Sequence, residues 1–147
     1  MALGKSAASE TNLLKLLFNA TTWGSYAEDK VSLPHTNLDV ALHTASPGDA
    51  GTMSTNETTY GSYARQTLVR TSGATGFDIT GSAVSLGADL DFPECGATPG
   101  AAITHFSIGI TGGGATEILY LGTVTPNITM ATGVIPRLKT TGTITED

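Results

Sequence analysis

Apolar residues fall at helical spacing near the start of this 147-residue chain, where Leu13, Leu14, Leu17 and Phe18 recur while Asn12, Lys15 and Asn19 take the other side. Side chains three and four positions apart share a helix face, so the pattern predicts one amphipathic helix of about three turns. Ser9 would cap its amino end, and Glu10 would sit at the positive end of its dipole. The helix is expected to end before the β-favouring TTWGSY of Thr21 to Tyr26.

From Leu38 the period changes to two. Leu38, Val40 and Leu42 alternate with Asp39, Ala41 and His43, the pattern of a half-buried strand. Ser46 to Ser62 then reads as a long polar loop, turned by Pro47, Gly48 and Gly51. It exceeds the usual upper length of about 12 to 15 residues, which makes it a functional candidate. Further strands are expected at Tyr63 to Arg70, Phe77 to Ile79, Ala83 to Leu86, Leu90 to Phe92, Thr104 to Ile110, Ile118 to Val124, Val134 to Leu138 and Thr141 to Thr145. The triple glycine Gly112 to Gly114 reads as the turn of a hairpin, and Asp49 and Asp78 as turn residues. Short strands with frequent turn signals and no alternating helices predict a mainly β fold, an antiparallel β-sandwich or jelly-roll-like domain behind a short N-terminal helix. Residues 1–26 would form the arm and helix, and 27–147 a single β domain.

Composition narrows the class. The chain has 18 Gly, 25 Thr and 11 Ser but only 14% charged residues, so it is polar without being charged, and its 39% hydrophobic content argues for folding rather than disorder. Cys95 is the single cysteine, which excludes an intrachain disulfide. Thirteen acids against seven scattered bases give a net charge of −6. That argues against nucleic acid or an anionic membrane as a direct partner, since both require clustered Lys and Arg. The first residues lack the apolar core of a secretory signal, and a protein made in a reducing cytosol is expected.

Catalytic and metal motifs are missing. His35, His43 and His105 form no HExxH or HxH pattern and read as hydrogen-bonded strand residues. Gly4 to Ser6 is GKS, but too few residues precede it for a phosphate-binding loop, and no GxSxG elbow occurs. No catalytic residue, metal ligand or cofactor is therefore expected. Arg65 stands apart, because it lies beside Tyr60 and Tyr63, and Tyr and Arg are enriched in interface hot spots. The alternative is an arginine spent within its own fold.

The order LDVALHTASPGDAGT (Leu38 to Thr52), NETTYGSYAR (Asn56 to Arg65), DFPE (Asp91 to Glu94), THFSIGI (Thr104 to Ile110), ILYLGTVTP (Ile118 to Pro126) and TTGTITED (Thr140 to Asp147) resembles a family of small structural proteins of tailed bacteriophages and prophages. Its members are described as tail-fibre-like, minor tail or capsid decoration proteins. The resemblance implies a virion component without catalytic residues. On this basis the favoured expectation is a decoration, or cement, protein that binds the major capsid protein and copies of itself on the assembled head. The alternative is a tail-tip or fibre-associated protein that binds other tail proteins and a host surface receptor. Leu13, Leu17, Phe18, Trp23, Tyr60, Tyr63 and Arg65 are the candidate interface residues.

Overall fold

Ser6 opens the helix. Its Oγ accepts from the Ser9 backbone N–H at 3.2 Å, and α1 runs Ala7–Asn19 with Glu10 in the first turn. The cap thus lies three residues before the Ser9 expected from the sequence. Periodicity reports only where apolar residues begin, whereas Ala7 and Ala8 extend the helix backwards by propensity alone. Ala20 closes α1 in the left-handed conformation at φ 49°, with the Thr21 N–H bonded to the Lys15 carbonyl.

The computed structural model describes residues 5–24, 27–29, 35–112 and 115–145. Gly4, Gly113, Gly114 and the expected domain boundary at Tyr26 lie outside them, as does the end of the expected carboxyl-terminal segment at Asp147. After α1 come β1 (Asn37–His43), β2 (Gln66–Val69), β3 (Phe77–Thr80), β4 (Ala83–Leu86), β5 (Leu90–Asp91), β6 (Ile103–Gly112), β7 (Ala115–Ile128), β8 (Arg137–Leu138) and β9 (Thr143–Thr145). The fold is mainly β with antiparallel sheets and one short N-terminal helix, the class the pattern predicts. No helix among the described residues is long and apolar enough to cross a membrane.

The chain divides into two compact units. The first comprises Met1–Asn37, Leu68–Leu90 and Lys139–Asp147. Here α1 packs on β3 and β4 of the sheet β3-β4-β9. Leu14 and Phe18, four residues apart on one helix face, are fully buried, and Phe18 meets Phe77 edge to face at 4.8 Å. Arg70 fastens the helix end. Its guanidinium donates to the Leu16 and Leu17 carbonyls at 2.6 and 2.7 Å, to the His35 carbonyl at 2.6 Å and to Asp29 at 2.8 Å. Those two carbonyls belong to the last helical turn and have no partner further along the helix, so a buried cation satisfies both their bonding and the dipole. Asp78, expected as a turn residue, lies within β3 instead, and its side chain accepts from the Gly73 N–H at 3.0 Å.

The second unit comprises Leu38–Thr67 and Asp91–Leu138. Its main sheet has the order β1-β6-β7, with Gln66 and Thr67 of β2 beside β1. β1 pairs with β6 in an unbroken register from Asp39↔Gly109 to His43↔His105, and β7 pairs with β6 with irregularities near Gly109 and His105. β1 is not half-buried as its alternation predicts, because Val40, Ala41, Leu42 and His43 are all fully enclosed. It is an inner strand, covered on both faces, and small Ala41 lets the polar-looking face be covered too. The expected strand Tyr63 to Arg70 forms only at Gln66–Val69, and Val134 to Leu138 only at Arg137–Leu138.

Candidate functional site

The long polar loop predicted at Ser46 to Ser62 is present, but it is not a loose surface excursion. Met53, Thr58 and Tyr60 within it are buried, and Met53 N–H bonds the Thr116 carbonyl at 3.1 Å. The loop is threaded back along β1, with Thr44 N–H donating to the Asn56 carbonyl at 2.9 Å and Thr58 N–H to the Leu42 carbonyl at 2.9 Å. These bonds fix a chain segment that has no regular ladder of its own and so would otherwise leave buried amides unpaired.

Loop and strand entrance together line an open depression of about 550 Å³, whose wall includes Ser54, Glu57, Thr59, Tyr60, Tyr63 and Arg65. Arg65 and Glu57 form its polar floor. Nε donates to Oε1 at 2.7 Å and Nη2 to Oε2 at 2.6 Å, a two-point contact that also reaches Ser54 Oγ at 3.0 Å. The side chains are 21% and 17% exposed, so water screens the pair only in part. The hydrogen bonds to Glu57 hold the Arg65 guanidinium above its ordinary pKa.

Tyr63 links this pair to the sheet. Its hydroxyl donates to Glu57 Oε1 at 2.9 Å and accepts from the Leu42 N–H at 3.0 Å. Burial pushes its pKa well above the ordinary tyrosine value, with the Glu57 charge acting in the same direction. Tyr60 meets Tyr63 edge to face at 5.3 Å, and Phe92 stacks on Tyr63 at 6.4 Å. The Tyr60 hydroxyl donates to the Pro93 carbonyl at 2.9 Å, and burial raises its pKa to about 12. Both phenols stay protonated at neutral pH and act as hydrogen-bond donors.

Beneath lies His43. A carbonyl only accepts, so the contact of Nδ1 with the Thr55 carbonyl at 2.9 Å places the proton on Nδ1, and Nε2 accepts from the Ser107 hydroxyl at 2.8 Å. The neutral imidazole is fully bonded, and burial lowers its pKa. Among the described residues, no group of three or more His, Cys, Asp or Glu is placed to hold a metal ion.

The structure thus brings together Tyr60, Tyr63 and Arg65. The helix-associated candidates lie in the other unit: Phe18 is fully buried in its core, Leu13 and Leu17 are half-buried, and half-buried Trp23 forms a short backbone bridge with Ala27. Sequence reading missed Glu57, Ser54 and Phe92. The available signal for Glu57 was that it is the nearest acid before Arg65 in a segment otherwise free of charge.

The described arrangement contains hydroxyls, an internally neutralised ion pair and an aromatic cluster, which suits recognition better than bond chemistry. A family model described as Podophage GP4 fiber I protein gp80 matches residues 4–145. No curated protein matches the chain.

Proposed function

From the premise that the chain belongs to the podophage fibre I family matched over residues 4–145, a family of tailed-phage structural proteins, we propose that it is a fibre-associated part of the virion. The family description carries this reading and reverses the order of preference drawn from the resemblance, in which head decoration came first. The depression around Arg65 supports it physically. Its floor is held by bonds that already exist in the free chain, so docking another surface orders few additional side chains, and less conformational entropy opposes binding. Exposed Ser54, Thr59 and Ser62 offer hydroxyls around that floor. Such a surface suits attachment to another tail protein or contact with a host surface receptor.

Head decoration is the second reading, favoured by the low charge of the chain, 14% of residues, which suits extended contact with a lattice. A protein that binds only the assembled shell stabilises it by mass action. Copy number separates the two. Mass spectrometry of purified virions is expected to count a few to a few dozen subunits per particle, with immunogold label on the tail apparatus. Hundreds of copies labelled over the head would overturn the fibre reading in favour of decoration.

A further inference from the structure

The fold leaves hydroxyls of the depression around Arg65 without partners. Thr58 lines it at 2% exposure, and its Oγ1 has no hydrogen-bond partner in the chain. Native proteins seldom enclose a hydroxyl in this way, because the group has lost water and gained no bond in return. Thr59 and Ser62, both exposed on the same wall, also make no side-chain bond within the described chain. Ser62 is in addition held at φ 76°, in the left-handed region that favours glycine. Strained backbone of this kind persists where the surroundings impose it, and it gathers at ligand-binding positions.

The backbone of this segment is already engaged. Thr58 N–H bonds the Leu42 carbonyl, Gly61 N–H the Thr98 carbonyl and Tyr63 N–H the Tyr60 carbonyl, while the Gly61 carbonyl accepts from the Gly96 N–H. These bonds break up the row of free main-chain groups that an extended peptide needs to add as a strand. Charge is engaged as well. Among the described residues lining the depression, Glu57 and Arg65 alone are charged, and their two-point contact sets one against the other. An anion approaching Arg65 meets the Glu57 carboxylate, and a cation approaching Glu57 meets the guanidinium. What remains is a mixture of single polar groups: the three hydroxyls, the Arg65 Nη1 donors and the remaining lone pair of Glu57 Oε2. Half-buried Tyr63 adds an aromatic wall.

We propose that the depression binds an uncharged saccharide. Each sugar hydroxyl both donates and accepts, which matches the mixed groups of Thr58, Thr59 and Ser62 across the neutralised Arg65–Glu57 floor. The proposal rests on the reading of this depression as a recognition surface and names the class of ligand it recognises.

The test titrates glucose, galactose, mannose, fucose, rhamnose and N-acetylglucosamine into the purified full-length chain, followed by the amide NMR signals of the isotope-labelled protein. Inorganic phosphate and a capped tetra-alanine peptide serve as the charged and peptide probes. Saturable shifts at the Ser54 to Arg65 amides are expected with at least one sugar and with neither other probe. Thr58→Val keeps the side-chain shape and removes the orphan hydroxyl, so it is expected to raise the urea midpoint while weakening sugar binding about tenfold, the worth of one hydrogen bond. Ser62→Gly relieves the left-handed backbone and is expected to weaken binding at wild-type stability or better. Hydroxyls with a purely structural role would give the reverse, lower stability at unchanged affinity. Saturation by no sugar, equal saturation by phosphate or peptide, or wild-type affinity in both variants overturns the proposal. The fibre reading is judged separately, by copy number and label position in the virion, and a failure here leaves it standing.

Discussion

Arg65 grips Glu57 at two points, 2.7 and 2.6 Å, across a loop corner where the two residues are eight positions apart. The planar guanidinium matches the carboxylate in a way that an ammonium cannot. Arg65→Ala removes both bonds and leaves a partly buried carboxylate facing the Tyr63 hydroxyl alone. A loss of about 1.5–3 kcal/mol in urea unfolding is expected, and Arg65→Lys should recover only part of it. Full recovery by lysine would show that charge, rather than the two-point geometry, holds the loop.

Arg70 is expected to matter at least as much. Its side chain is 8% exposed and satisfies two carbonyls at the end of α1 as well as Asp29. Arg70→Ala should cost roughly 3 kcal/mol, the upper range for bonds to a charged group, and should reduce helical ellipticity at 222 nm. A variant with wild-type stability would exclude the proposed role in capping the helix.

His43 predicts a pH dependence. Its folded pKa lies below the ordinary value of about 6.5, so in acid the unfolded chain binds the proton more readily than the folded one. Its neutral form contributes full stability above about pH 6.5, and this contribution falls as pH drops below that value. Urea midpoints measured at pH 7.5, 6.5 and 5.5 should decline in that order, and His43→Gln should flatten the decline. An equal slope in the variant would assign the effect to other groups.

The helix separates core from surface. Phe18→Ala should destabilise by about 3–5 kcal/mol, since it empties a fully buried site against Phe77, whereas Leu17→Ala should cost clearly less because Leu17 is half-buried. Equal losses in thermal or urea unfolding would contradict this packing.

Much of the local structure was legible from side-chain periodicity. β4 lies at the expected Ala83–Leu86, and β3 and β6 within two residues of expectation, because alternation and turn residues are local properties. The expected strand at Tyr63 to Arg70 shrank because Tyr63 and Arg65 are drawn to Glu57 and the Leu42 amide, outside any ladder. Tyr60, Tyr63 and Arg65 could be singled out by residue type. Glu57, the partner that Tyr63 and Arg65 share, could not, since pairing across a loop leaves no periodic trace.

By itself the sequence determined the class of fold, the place of the helix and the lack of clustered charge, all of which follow from residue type and short-range spacing. Only the tertiary structure decided that both faces of β1 are covered, that the polar loop is anchored by Met53, Thr58 and Tyr60, and that β7 lies at an edge. The reason is common to all three: burial and strand order depend on which segments, far apart along the chain, are brought together, and a strand's own residues read much the same whether a neighbour covers its edge or not.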